Sequence, residues 1–289
     1  MHRSVHGFVL ASLVLALFLA GCAGTASGPE AAGDSTPAAS ETPRVDWALA
    51  IHGGAGVISK DMEEETKREY FAALEQALTV GRRHLEQGGS SLDAVEMVVR
   101  TLEDDPKFNA GKGAVYTHEG THELDAAIMD GRQLEAGAVA AVKTIKNPIL
   151  LARRVMEVSP HVFLIGEGAE AFAAEQGLER VEQDYFHTER RREQLDRILE
   201  RERSAAAAPP SVDQVYSTVG AVALDRDGNL AAATSTGGMT NKRFGRVGDV
   251  PVIGAGTYAD NRACAVSGTG HGEKFIRHTV ARSIAARMH

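Results

Sequence analysis

Two cysteines in 289 residues, Cys22 and Cys264, leave no room for a disulfide framework. Cys264 lies in the apolar run Ala263-Cys264-Ala265-Val266 and reads as a buried structural thiol. Basic charge is also in deficit. The net charge of -8 argues against the phosphate-binding surface that a nucleic-acid partner would need. The one dense basic run, Arg190-Arg191-Arg192, sits between Glu189 and Glu193 and reads as the solvated face of a helix. No GxSxG elbow occurs and no Ser-His-Asp arrangement is evident, which leaves the α/β-hydrolase route without support. The letters of HExxH do occur once, at His118-Glu119-Gly120-Thr121-His122. His118 and His122 form an HxxxH pair, but Gly120 between them argues against the helix such a zinc site needs.

What is present begins with an N-terminal signal. His2, Arg3 and His6 precede an apolar run from Phe8 to Ala20, too short for a confident membrane span. It ends in Leu19-Ala20-Gly21-Cys22, which resembles a bacterial lipobox. That resemblance implies a signal peptide over 1–21, cleavage before Cys22, and lipidation of its thiol and new amine. The protein would then be an exported lipoprotein, anchored to a membrane and facing the periplasm or the cell exterior. An ordinary signal with an incidental cysteine is the alternative. Residues 22–44 are rich in Ala, Gly, Ser, Thr and Pro, carry no apolar period, and read as a flexible tether.

The folded part is expected from Val45. Trp47 to Ile51 suggests a buried strand running into the glycine turn His52-Gly53-Gly54-Ala55-Gly56. Met62 to Glu86 has helical spacing, with Phe71, Leu74, Ala77, Leu78 and Val80 on or near one face, and Gly88-Gly89 ends it. Ser90 and Asp93 suggest a capping box for a second helix with Leu92, Val95, Val98 and Val99 inward, stopped by Asp104-Asp105-Pro106. Glu123 to Met129 and Ala136 to Val142 are strand-like around the Asp130-Gly131 turn. Asn147-Pro148 starts a helix. Val162 to Ile165 reads as another buried strand, with a helix from Gly168. A polar helix over 189–203 leads into a low-complexity linker, which delivers the chain to Ser217-Thr218. Val219 to Leu224 and Leu230 to Ala233 form strands around an Asp227-Gly228 turn. Val252 to Gly254 and Ala263 to Val266 suggest two more, and His271 to Met288 an amphipathic helix. Strands and helices in this order predict layered α/β or α+β packing, and the pattern does not separate the two.

A threonine hydroxyl becomes a good nucleophile only when a base takes its proton. Thr218, after a linker and before a buried strand, could use its own α-amine if the preceding bond is cut, because a free α-amine titrates at about 7.7–8. On spacing alone an ordinary strand-start threonine is the favoured reading. Three blocks change that reading: Ile51-His52-Gly53-Gly54-Ala55-Gly56, Phe108-Asn109-Ala110-Gly111-Lys112-Gly113, and the stretch from Thr218 through Thr234-Ser235-Thr236-Gly237-Gly238, Gly245-Arg246-Val247-Gly248-Asp249 and Ser267-Gly268-Thr269-Gly270-His271-Gly272-Glu273. From Val45 onward the chain resembles the plant-type asparaginase and isoaspartyl-peptidase family of N-terminal-nucleophile hydrolases.

That resemblance implies an α+β fold, a four-layer αββα sandwich, in a domain spanning 45–289. It implies self-cleavage between Ser217 and Thr218 into an α part (45–217) and a β part (218–289), associated as an (αβ)2 homodimer. Thr218 would be the nucleophile and Thr236 the second threonine that orients it. Thr269 and the backbone N–H of Gly270 would form the oxyanion hole. Arg246 and Asp249 would clamp the head of an α-amino acid, with Gly270, Gly272 and Asn109 also on the substrate side. No cofactor is required. A structural sodium loop is implied, made of the backbone carbonyls of Leu102, Glu103, Asp105, Phe108, Ala110 and Lys112. The expected activity is cleavage of β-aspartyl dipeptides and L-asparagine, a small-molecule or dipeptide substrate. The alternatives are a glycosylasparaginase-like amidohydrolase and a non-catalytic surface lipoprotein that keeps the fold. Two departures stand out. Ser217 occupies a position where Gly or Asp is commoner in the family. The sequence stops at Arg287-Met288-His289 inside an apparent helix, where family members continue, so it reads as a fragment or an incomplete gene model whose fold lacks some core strands.

Overall fold

Residue pattern and packing meet most clearly in the strands. Ala-rich runs such as Leu124–Asp130 (β2), Glu135–Val142 (β3), Val219–Leu224 (β5) and Leu230–Thr236 (β6) are buried along nearly their whole length, because layers cover both faces. The computed structural model describes residues 45–55, 62–204 and 218–288. The signal segment, Cys22, the tether, Gly56, the linker after Ser204 and Ser217 lie outside the described residues.

These strands join Ala48–His52 (β1) and Phe163–Ile165 (β4) in a six-stranded sheet of order β1-β5-β6-β2-β3-β4. All neighbours are antiparallel except β3 and β4. Thr257–Ala259 (β7) and Ala265–Ser267 (β8) make a second, two-stranded sheet that packs on β2, β5 and β6. The period of two along each central strand divides the core. Ala126 and Ile128 of β2, and Ala231 and Ala233 of β6, face the larger cluster. Met129 and Ala232, their neighbours in sequence, face the smaller one with Tyr258 and Ala281.

Helices close both sides. Glu64–Glu86 (α1), Ser91–Glu103 (α2) and Pro148–Val158 (α3) cover the outer face of the large sheet, and Gly166–Glu175 (α4) packs beside β3 and β4. Gly272–His278 (α6) is followed by Val280–Ala286 (α7), which lies on β7 and β8. The result is the four-layer αββα sandwich. The local signals act as read: the Ser90 hydroxyl accepts from Asp93 N–H at 3.1 Å, Pro148 takes the first turn of α3, and the turn at Asp227-Gly228 is held by the Asp225 carboxylate.

Several expectations are corrected. β1 and β4 are edge strands and only partly covered, with Phe163 and Ile165 exposed. The buried stripe of α1 is Ala73, Ala77, Gly81 and Leu85, and Phe71 and Leu78 face outward. α4 begins at Gly166 rather than Gly168. Residues 252–254 are not a strand: Val252 and Gly256 N–H both donate to Asp249 O, which closes a tight turn and leaves Thr257–Ala259 as the strand. The C-terminal helix is two helices, broken at Thr279, whose φ is 43°. The break lets the first N–H groups of α7, at Ala281 and Arg282, donate to the carbonyls of Ala255 and Gly254. Arg191, on helix Glu189–Ser204 (α5), is buried instead of solvated. Its Nε donates to Gly113 O at 2.9 Å, and burial pushes its pKa down to about 10. Cys264 is half-buried at the rim of the smaller cluster, where burial raises its thiol pKa.

The orientation of α1 is testable. Leu85→Ala should cost about 2–5 kcal/mol, whereas Phe71→Ser should stay within about 0.5 kcal/mol of the parent. Denaturant unfolding of the two variants would measure both.

Candidate functional site

The three blocks separated in sequence converge at the head of β5. Thr218 sits one residue before the strand, buried, where the antiparallel register with β6 brings it opposite Thr236. Its Oγ1 donates to Thr236 Oγ1 at 3.2 Å, and the N–H of Gly238 donates into the same Thr236 oxygen at 3.0 Å. Thr236 is thereby fixed at both ends of a short relay. Ser235 points to the opposite face, where its hydroxyl donates to Glu103 Oε1 at 2.6 Å. That carboxyl is fully buried, and desolvation pushes its pKa up to about 8.

Asn109 holds the turn after Thr236 from behind. Its Nδ2 donates to Gly238 O at 2.7 Å, its Oδ1 accepts from Val115 N–H at 2.9 Å, and its carbonyl accepts from Gly237 N–H at 3.0 Å. With both side-chain polar atoms engaged by the protein, Asn109 supports the turn beneath the site.

The first block docks against the last. Thr269 Oγ1 accepts from Ala55 N–H at 3.1 Å, just beyond the end of β8. His52 Nδ1 donates to the Thr218 carbonyl at 3.2 Å, and its Nε2 lies 2.9 Å from Ser267 Oγ. Burial pushes the imidazole pKa down to about 4, so the ring is neutral. Among the described residues, no hydrogen bond joins Thr218 directly to Thr269 or Gly270. They are connected through the docked His52–Ala55 segment.

Arg246 and Asp249 do come together, around Gly272. A Cβ on Gly272 would lie 2.7 Å from Arg246 Nη2 and 2.9 Å from Asp249 Oδ1, so only glycine leaves both groups room. Asp249 is buried, and its Oδ2 has no hydrogen-bond partner among the described residues. Desolvation raises its pKa to about 6, against the pull of Arg246 and with the help of Glu273 and Asp125. Arg246 is held by Glu273 through Nε–Oε1 at 3.0 Å and Nη2–Oε2 at 3.2 Å. A fixed guanidinium beside a buried carboxyl suits a ligand that carries both a carboxylate and an ammonium. Glu273 closes the quoted Ser267–Glu273 block, yet its pairing across 27 residues has no sequence signal.

The loop after α2 is crowded with carbonyls. A Cβ at Gly113 would lie 2.1 Å from Phe108 O and 2.5 Å from Pro106 O, and one at Gly111 only 2.3 Å from Glu103 O. The carbonyls of Leu102, Asp105 and Ala110 each accept one backbone N–H, which leaves a second lone pair apiece. This donor set suits a hard cation such as sodium. The two histidines weighed for zinc bond separately: His118 to Asn241 Oδ1 at 2.7 Å, and His122 to Val115 O at 3.3 Å.

Comparison with known proteins agrees with this geometry. Residues 45–289 match the model of a protein family described as asparaginase. An isoaspartyl peptidase of Escherichia coli is 55% identical over 246 residues, covering 83% of this chain and 76% of that protein. The isoaspartyl peptidase of Salmonella typhimurium is 54% identical over 244 residues, covering 83% and 78%. A human isoaspartyl peptidase/L-asparaginase is 49% identical over 235 residues, covering 81% and 74%. The chain therefore belongs to the asparaginase family of N-terminal-nucleophile hydrolases.

Proposed function

We propose that this protein is a threonine amidohydrolase that cleaves isoaspartyl dipeptides and L-asparagine and releases L-aspartate through a Thr218 acyl-enzyme. The observation that carries the reading is the Thr218–Thr236 hydroxyl pair at the head of a buried central strand, beside the Arg246–Asp249 pair. The substrate class follows the relatives, which are isoaspartyl peptidases and L-asparaginases by name.

The chemistry needs a base, a nucleophile and a place for negative charge. Cutting the bond between Ser217 and Thr218 frees the Thr218 α-amine, which takes the hydroxyl proton. The Oγ1 then attacks the side-chain carbonyl of the substrate. Thr269 and the Gly270 N–H stabilise the resulting oxyanion, a contribution of about 3–4 kcal/mol per well-placed donor. The proton passes to the departing amine, and water hydrolyses the ester to release aspartate. Arg246 binds the α-carboxylate and Asp249 the α-ammonium. The carbonyls of Leu102, Glu103, Asp105, Phe108, Ala110 and Lys112 would hold a structural sodium ion, whose charge stiffens the loop behind Asn109. The proposal extends to the chain's organisation: a lipidated Cys22, a tether to residue 44, α and β parts meeting at 217/218, and an (αβ)2 assembly. The sequence pattern at the lipobox and the family resemblance support those parts.

Three outcomes test the reading. The chain purified without residues 1–22 should yield, by intact mass, a fragment beginning at Thr218. Thr218→Ala should remain one uncut chain and lose at least about 1,000-fold in hydrolysis. Arg246→Ala should still cut itself, yet its KM for a β-aspartyl dipeptide should rise about 10- to 100-fold, the scale of a lost charge-assisted bond.

The pH profile provides a further check. Below about 6 the Asp249 carboxyl is protonated and no longer pairs with an ammonium. The Thr218 amine, titrating at about 7.7–8, is already protonated there. Log kcat/KM should therefore fall with a slope of about one below pH 7.5 and about two below pH 6, and Asp249→Asn should abolish the second break.

A further inference from the structure

We propose that His52 is a positioning residue for the nucleophile: its Nδ1–H pins the Thr218 carbonyl, and a chain of hydroxyls through Ser267, Thr234 and Thr257 sets the tautomer that allows this. The inference rests on Thr218 being the nucleophile.

The direction of the chain follows from counting protons. A carbonyl oxygen only accepts, so His52 Nδ1 carries the hydrogen in its 3.2 Å bond to Thr218 O. The buried ring is neutral, so Nε2 is an acceptor, and the Ser267 hydroxyl 2.9 Å away is its donor. Ser267 has one proton. Giving it to Ala233 O, at 3.2 Å, would leave Nε2 facing an oxygen with nothing between them. With that proton on His52, the 2.7 Å contact to Thr234 Oγ1 is donated by Thr234, and Thr257 donates to Thr234 at 2.8 Å. Hydroxyls from β6, β7 and β8 thus set the hydrogen position on a ring carried by β1.

Gly220 makes the passage possible. It is the β5 partner of His52, and a Cβ there would lie 1.9 Å from Ser267 Oγ and 2.5 Å from His52 Nε2. Thr218 and Gly220 lie two residues apart, hence on the same face. The imidazole occupies the volume that a side chain at 220 would take, and so reaches the residue before the strand.

That residue needs an anchor. β5 begins at Val219, so Thr218 lies outside the ladder. Once the preceding bond is cut, Thr218 becomes a chain terminus, and termini fray unless tied down. Its Cα joins the amine, the pinned carbonyl and the Cβ that bears the hydroxyl. Holding the carbonyl fixes the base and the nucleophile at once, which is the geometry that a displacement of about 1 Å would spoil by about 100-fold.

The experiment compares His52→Ala, His52→Asn, Ser267→Ala and Thr218→Ala in the full mature chain. The readouts are the self-cleavage rate, kcat and KM for a β-aspartyl dipeptide, and the melting temperature. Asparagine can place an amide N–H where Nδ1–H stands. His52→Ala should lower kcat by about 30- to 100-fold with KM within about twofold. His52→Asn should recover at least about tenfold of that loss, and Ser267→Ala should fall between His52→Ala and the parent. If His52→Ala does not mature or fold, His52→Asn and Ser267→Ala should each cleave themselves more slowly than the parent, and parental rates in both overturn the proposal. Equal kcat in the alanine and asparagine variants, or a change confined to KM, overturns the proposal. So does parental kcat in His52→Ala while Thr218→Ala is inactive. Hydrolysis by Thr218→Ala would instead remove the underlying reading.

Discussion

The antiparallel pairing of β5 with β6 is the interaction on which the site depends. It sets Thr218 opposite Thr236 and Gly220 opposite Thr234. A slip of β6 by one residue would turn Thr234 and Thr236 to the helix-covered face. The Ala-rich composition of both strands lets layers pack on each side, and the ladder hydrogen bonds hold the register. Glu103 reinforces it from behind by accepting from Ser235, the residue between the two threonines. The same strand thus anchors one face to the helices and offers the other to chemistry.

Charge is arranged on a different principle from the hydroxyls. The hydroxyl relay is neutral, buried and closed, whereas the Arg246–Glu273–Asp249 group places one guanidinium between two carboxyls. Glu273 stays ionised because Arg246 holds its pKa below the usual range, while burial lifts Asp249. Two acids near one base are therefore driven apart in pKa, and the buried one is left with an unfilled acceptor. A ligand ammonium would supply the missing donor.

Much of this was legible in the chain, for reasons that differ by element. Local chemistry is written locally: the Ser90 cap, Asn147-Pro148 and the Asp227-Gly228 turn act within a few residues, and each stands where it was expected. Burial at the sheet edges was not legible, because an apolar run looks alike in a central and an edge strand, and Val162 to Ile165 was misread on that account. The break at Thr279 depends on the carbonyls of Gly254 and Ala255, which no window around Thr279 contains. In the site, Thr218, Thr236 and the Arg246–Asp249 pair are singled out through the resemblance, since residue type and spacing leave Thr218 open. Glu273 and His52 lay inside the quoted blocks without a task, because their partners are set by the fold alone.

The strand order bears on what a cut before Thr218 leaves behind. β5 and β6 come from the later segment, yet they are inserted between β1 and β2 of the earlier one. Two polypeptides made by such a cut are woven through one sheet, so that each supplies the other's missing neighbours. Parting them would mean tearing two ladders and opening both cores, which is as costly as unfolding. The break in the backbone changes the number of molecules without changing the number of folded bodies, and it releases one new chain end where an amine is needed.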